Sequence, residues 1–258
     1  MKKQILAVMV GLTVILGGCS KQSAQNTEST DSNQNIENML QEVKKETKEL
    51  KSGKATMVNF LKYDKIATSN ALGYDVSGDE KFEPLEFAMK GKYISNIYGE
   101  TKDESYLKDG VYYLKTYDYW FKKKGPTDNK HVLSFKTESL NNKDGILNLL
   151  DNKDNWDVTK DGEKITFKLK KTDEIKDKVK EAYLTRYKEE IKFSEFDYNI
   201  EYVFNTKNKD VEKLAYELTT KNEGLTQRVT TKGSLEEINK EVNIELPEES
   251  KKALEMLA

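Results

Sequence analysis

Between Lys164 and Lys170 the chain alternates without a break: Ile165, Phe167 and Leu169 are separated by Lys164, Thr166, Lys168 and Lys170. Successive side chains of a strand point to opposite faces, so this pattern describes a strand with one apolar face and one wet face. The same period-two pattern recurs in Leu85, Phe87 and Met89, in Tyr198, Ile200, Tyr202 and Phe204, and in Leu214, Tyr216 and Leu218. It continues through Leu225, Gln227, Val229 and Thr231, and through Val242, Ile244 and Leu246. Ala55 to Tyr63 is apolar and β-favouring, and Tyr93, Ile94, Ile97 and Tyr98 extend the run that follows Gly91. Sheets with one solvated face are antiparallel. Two Asp-Gly pairs, Asp109-Gly110 inside Tyr106–Leu114 and Asp161-Gly162, supply the hairpin turns such a sheet needs.

The apolar face must be covered, and the chain holds two long amphipathic segments that can cover it. Ile36, Met39, Leu40, Val43, Thr47 and Leu50 follow helical spacing and end near Ser52-Gly53. Thr172 to Ile191 carries a second stripe (Ile175, Val179, Ala182, Tyr183, Tyr187 and Ile191), with Asp173 and Glu174 in its first turn, where acidic side chains favour a helix start. A shorter helix is expected over Ser139 to Leu150, and a terminal one after Pro247 with Ala253, Leu254 and Leu257 on one side. The expected fold is α+β: a curved antiparallel β half-barrel wrapping amphipathic helices on its concave face.

Composition bounds the chemistry. The 258 residues include 14 Tyr, 9 Phe and 2 Trp, too many aromatics for a disordered chain. Of 43 basic residues only Arg186 and Arg228 are Arg, and the net charge is −2, which argues against nucleic-acid binding. His131 is the one histidine and Cys19 the one cysteine, so a His/Cys zinc site and a Ser-His-Asp or Cys-His arrangement are not expected. Asp151-Asn152-Lys153-Asp154-Asn155 offers oxygens for calcium, but Lys153 intrudes and no bidentate Glu follows. No metal, no cofactor and no enzymatic activity are expected.

The N-terminus carries an address. Lys2 and Lys3 precede an apolar run from Ile5 to Leu16, too short to span a bilayer permanently. It ends in Leu16-Gly17-Gly18-Cys19, which resembles the lipobox of bacterial lipoproteins. That resemblance implies a signal peptide over residues 1–18, removed to leave Cys19 first, and a diacylglyceryl group with palmitate-type chains on the Cys19 sulfur. Two acyl chains hold a protein stably at a membrane. Residues 19–35 are expected to be the lipidated Cys and a disordered tether, since Ser20 to Asn35 has nothing apolar larger than Ala24. Residues 36–258 are expected to form a single domain.

Lipobox, tether, first helix, the Tyr106–Leu114 hairpin, the mid-chain helix and the closing Val242-Asn243-Ile244-Glu245-Leu246-Pro247-Glu248-Glu249 together resemble Gram-positive lipoproteins related to the LolA and LprG/LppX group. Carriers in that group hold lipid or acyl chains between sheet and helices. The resemblance implies an extracytoplasmic, membrane-anchored protein of the cell envelope that binds a lipid or acylated ligand. Phe60, Phe87, Tyr113, Trp120, Phe167, Tyr183, Ile200, Tyr202 and Tyr216 are the expected lining of such a cavity. The alternative is an envelope module with a filled core that binds another protein.

Overall fold

The computed structural model describes residues 27–63, 72–95, 99–125, 134–185 and 191–256. It opens with helix α1 (Thr27–Lys48) and then a six-strand meander: β1 (Ser52–Tyr63), β2 (Leu72–Phe82), β3 (Leu85–Ser95), β4 (Gly99–Lys108), β5 (Val111–Thr116) and β6 (Tyr119–Lys124). Two short helices follow, α2 (Phe135–Glu138) and α3 (Asp144–Leu147), with 3-10 turns at Asn148–Asp151 and Lys153–Asn155. Then come β7 (Trp156–Asp161), β8 (Lys164–Leu169), α4 (Asp173–Leu184), β9 (Phe193–Asn205), β10 (Asp210–Asn222) and β11 (Gln227–Glu236). The chain closes with a 3-10 turn at Glu248–Lys252 and β12 (Leu254–Glu255).

The described strands join one unclosed twelve-strand sheet in the order β12-β6-β5-β4-β3-β2-β1-β11-β10-β9-β8-β7. Two meanders are zipped together where β1 meets β11, from Lys54 opposite Glu236 to Tyr63 opposite Gln227. Every pairing is antiparallel except the short parallel contact of β12 with β6. Both predicted hairpins form. Asp109 and Gly110 have φ of 51° and 71°, the doubly left-handed turn that an Asp-Gly pair accommodates. The second turn is Gly162-Glu163, between Asp161 and Lys164, with Gly162 at φ 59°.

The helices lie on one face: α1 against β9 and β10, α2 against β1 and β11, α4 against β9, and α3 against α4. Open sheets beyond about ten strands curl, and two glycines show where this one does. Gly78 shares a face with Val76, and Gly91 shares a face with Met89, both in the helix-covered core. A Cβ on Gly78 would lie 1.8 Å from the Ala88 carbonyl oxygen, and one on Gly91 would lie 2.0 Å from that of Asp75. Neighbouring backbone has closed over both positions, so any side chain there would prevent the bend. The fold is the α+β half-barrel expected.

Several elements differ from expectation. α1 begins at Thr27, so Thr27 to Asn35 of the expected tether is helical here. The strand β2 hides its alternation because two of its inward positions are Gly78 and Glu80. The Ser139–Leu150 helix is broken into α3 and a 3-10 turn, preceded by α2. Val242 to Leu246 forms no ladder among the described residues; it crosses the convex face, where Leu246 and Ala253 cover Tyr106 and Trp120. Leu254, expected on a terminal helix, lies in β12 instead. α4 is described to Leu184 and Ile191 lies in the non-helical approach to β9, while Tyr187, His131 and Leu257 lie outside the described residues.

Candidate functional site

The hollow expected between sheet and helices is mostly filled. Phe135, Leu140, Ile146, Leu147, Leu149 and Leu150, from the segment joining the two meanders, are all buried against the concave face. Below them Phe167, Ile200 and Tyr202 have no exposed surface, and the Trp156 ring meets Tyr202 edge-on at 5.3 Å. The Tyr202 hydroxyl donates to the Asn141 carbonyl at 2.9 Å, and burial pushes its pKa up. These three expected lining residues are therefore core. Phe87 is core as well, in edge contact with Tyr112.

Three other expected lining residues face away from the hollow. Phe60 follows Asn59, which is on the concave side, and so points to the convex side with Val58. Tyr113 and Trp120 sit on the convex face in a second cluster with Tyr106, under the C-terminal segment. Aromatic composition could not distinguish the two faces; strand register does.

The remaining two, Tyr183 and Tyr216, come together. They line a cavity of about 190 Å³ with Leu140, Ile191, Phe193, Leu218 and Val229 as its apolar wall. Its polar wall is Asn59, Glu138, Thr220, Asn222 and Thr231. Register builds the floor: Asn59 of β1 is opposite Thr231 of β11, which is opposite Leu218 of β10. The Asn59 side-chain amide donates to the Thr231 hydroxyl at 2.9 Å. α4 supplies Tyr183, whose ring lies 5.9 Å from Phe193. The helix is held at its start by Thr172, whose hydroxyl accepts the Ile175 N–H. Tyr216 lies over Gly233, where a Cβ would come within 2.9 Å of its ring. Gly233 thus lets the ring lie flat on the sheet and frame one wall.

Comparison with known proteins finds distant structural likenesses. No family model and no curated protein matches the sequence. Among solved structures the chain is similar to LprF from Mycobacterium bovis, at 14% identity and a TM-score of 0.44, covering 83% of this chain and 97% of that one. It is also similar to the Mycobacterium tuberculosis lipoprotein LppX, at 15% identity and a TM-score of 0.36, covering 83% of this chain and 100% of the other. At these TM-scores and identities neither likeness carries the reading of fold or cavity, which rests on this chain's own strands and side chains.

One buried acid stands behind the cavity. Glu80 is fully buried and both its carboxylate oxygens accept the Phe135 N–H, at 3.1 and 3.0 Å. Burial raises its pKa to about 8, against the opposing effect of that hydrogen bond. Phe135 in turn packs on Tyr216, ring centroids 5.8 Å apart. Glu80 thus fixes the start of α2 and, through Phe135, the back of the Tyr216 wall. The sequence hinted at it only as an acid in an inward position of an unrecognised strand. Among the described residues no group of three or more His, Cys, Asp or Glu could hold a metal ion, and no helix is long and apolar enough to cross a membrane.

Proposed function

We propose that this protein is an extracytoplasmic lipoprotein, anchored through Cys19, that binds the apolar end of a lipid or acylated molecule in the cavity between sheet and helices. Cys19 and its anchor lie outside the described residues and enter from the sequence. The observation that carries the reading is the Tyr183–Tyr216 cavity, with an apolar wall beside a hydrogen-bonded Asn59–Thr231 pair. An empty apolar cavity of about 150 Å³ takes up benzene, so about 190 Å³ suits the end of one chain and not a whole lipid. Burying about six methylenes contributes about 5 kcal/mol before the cost of association is subtracted, so a chain end alone is held weakly. The arrangement supports binding and not catalysis.

Native mass spectrometry of the chain purified without detergent tests this. Retention of an apolar molecule by the parent chain and its loss in Val229→Phe, which fills the cavity, is the expected result. Equal retention by both forms, or none by either, refutes it. The filled core around Phe167, Ile200 and Tyr202 favours a second reading, a module that binds an envelope protein through its sheet. Crosslinking in intact cells that recovers one protein partner and no lipid would favour that instead.

A further inference from the structure

A second hollow lies at the other end of β9. The cavity above involves Phe193, at the start of that strand; this groove, of about 740 Å³, involves Phe204 and Thr206 at its finish. Twelve residues of strand separate Phe193 from Asn205, roughly 35–40 Å. The groove runs beneath the middle of α1. Met39, Ile165 and Phe204 form its apolar floor; Asn35, Asn38 and Thr206 are polar, and Lys160, Lys209 and Glu42 carry the charges.

Two observations select its occupant. The first is charge. Most lysines near this end are matched: Lys164 with Glu212, Lys207 with Glu163 and Lys240 with Asp210. Lys160 and Lys209 have no carboxylate partner among the described residues. Both are exposed, Lys160 on β7 and Lys209 in the turn after β9. The one acid of the groove, Glu42, is offset by Lys45 at 3.7 Å. An apolar floor under two uncompensated cations complements an anionic amphiphile.

The second is where the chain leads. Asn35 and Asn38 belong to the helix that continues back to Thr27, and Cys19 is eight residues earlier. Eight helical residues cover about 12 Å, and eight more reach at most about 28 Å. Of the two hollows the groove is thus the one lined by the helix that leads back to Cys19, and a lipidated Cys19 would hold it towards the membrane, a step that rests on the anchored reading above.

We propose that this groove binds an anionic phospholipid of that membrane, its phosphate between Lys160 and Lys209 and acyl carbons over Met39, Ile165 and Phe204. Each lysine near an anionic lipid surface contributes about a fivefold gain, so losing both should weaken retention about thirtyfold. The full lipidated chain is reconstituted in vesicles of equal phosphatidylglycerol and phosphatidylcholine, released, and weighed by native mass spectrometry. Preferential retention of phosphatidylglycerol, lost in the double variant Lys160→Gln with Lys209→Gln and kept in Val229→Phe, supports the proposal. Retention of both lipids alike, or an unchanged double variant, overturns it, as does release of the lipid by millimolar inorganic phosphate, which would mark a free-anion site. Loss in Val229→Phe alone also overturns the groove while supporting the cavity. Retention at the groove with no apolar ligand in the cavity does the reverse, so the two readings fail separately. The mass of the parent chain reports the anchor itself.

Discussion

Replacing Glu80 by Gln should change how the stability of this protein depends on pH. The Glu80 carboxyl is fully buried, meets one backbone N–H, and has its pKa raised from 4.5 to about 8. A raised folded-state pKa means that the native chain binds this proton more tightly than the unfolded chain. The stabilisation is complete below the unfolded value, near 4.5, and is lost as pH rises towards 8. Each pKa unit corresponds to about 1.4 kcal/mol, so the loss from acid to alkaline pH approaches 5 kcal/mol, with about 4 kcal/mol of it falling between pH 5 and 9. Glu80→Gln keeps the oxygen that accepts the Phe135 N–H but never ionises. Its amide lacks a defined acceptor, which costs about 1–3 kcal/mol at every pH. The difference in stability, variant minus parent, should therefore rise by about 4 kcal/mol from pH 5 to 9, from negative or near zero to positive. Urea unfolding at five pH values measures it, with the buried Trp156 as the fluorescent probe. Taking the difference cancels every group common to both chains. A difference that stays flat across that range would refute the burial argument.

Three further outcomes follow from the fold. Gly91→Ala drives a Cβ to within 2.0 Å of the Asp75 carbonyl oxygen, so the β2–β3 bend must open; a loss above about 3 kcal/mol in thermal unfolding is expected, where an ordinary surface change stays within about 0.5. Tyr202→Phe leaves the buried Asn141 carbonyl without that donor at the cost of about 1–3 kcal/mol, and an unchanged urea midpoint would show that the contact is not maintained in solution. Ending the chain at Glu245 removes Leu246 and Ala253 from Trp120, so Trp120 emission should shift to the red while Trp156 stays buried; an unaltered spectrum would place the C-terminal segment elsewhere.

Elements whose pattern is self-contained were legible. The Ile165, Phe167 and Leu169 alternation, the Asp109-Gly110 turn and the α1 stripe of Leu40 and Val43 all appear as the residues imply, and the second hairpin forms with its turn one residue later, at Gly162-Glu163. What escaped depends on partners distant in sequence. β2 reads poorly because Gly78 is inward for the sake of the bend and Glu80 for the sake of Phe135, and neither reason is local. Val242 to Leu246 has strand periodicity, yet its apolar side chains serve a convex face that already had neighbours, so alternation there marks burial without a ladder. Tyr113 and Trp120 were misplaced for a related reason. Their alternation is sound, but which parity faces the helices is fixed by register with β4, where Leu107 is inward and Tyr106 outward.

The cavity lies where two chemical gradients on the concave face cross. Along β9 and β10 the inward positions are apolar from Phe204 and Leu214 to Leu218, and then become Thr220. Across the sheet the same row changes from Tyr198 and Leu218 to Thr231 and Asn59. A core designed only for stability would continue the apolar rows, because burying Thr and Asn side chains yields nothing unless they are paired. Here they are paired with each other, Asn59 to Thr231, leaving a polar shelf beside Leu218, Leu140 and Phe193. Glu138 and Leu140 of the helical plug border that shelf and line the cavity with it. On the proposed reading the apolar end of the ligand lies against Leu218, Leu140 and Phe193, and a carbonyl or hydroxyl close to that end, as in a short ester, would meet the polar shelf. Converting the shelf with Asn59→Leu and Thr231→Val should therefore stabilise the empty protein and weaken an ester-linked chain relative to a plain alkane of equal length. Tighter binding of both by equal factors would mean that the polar pair is only structural.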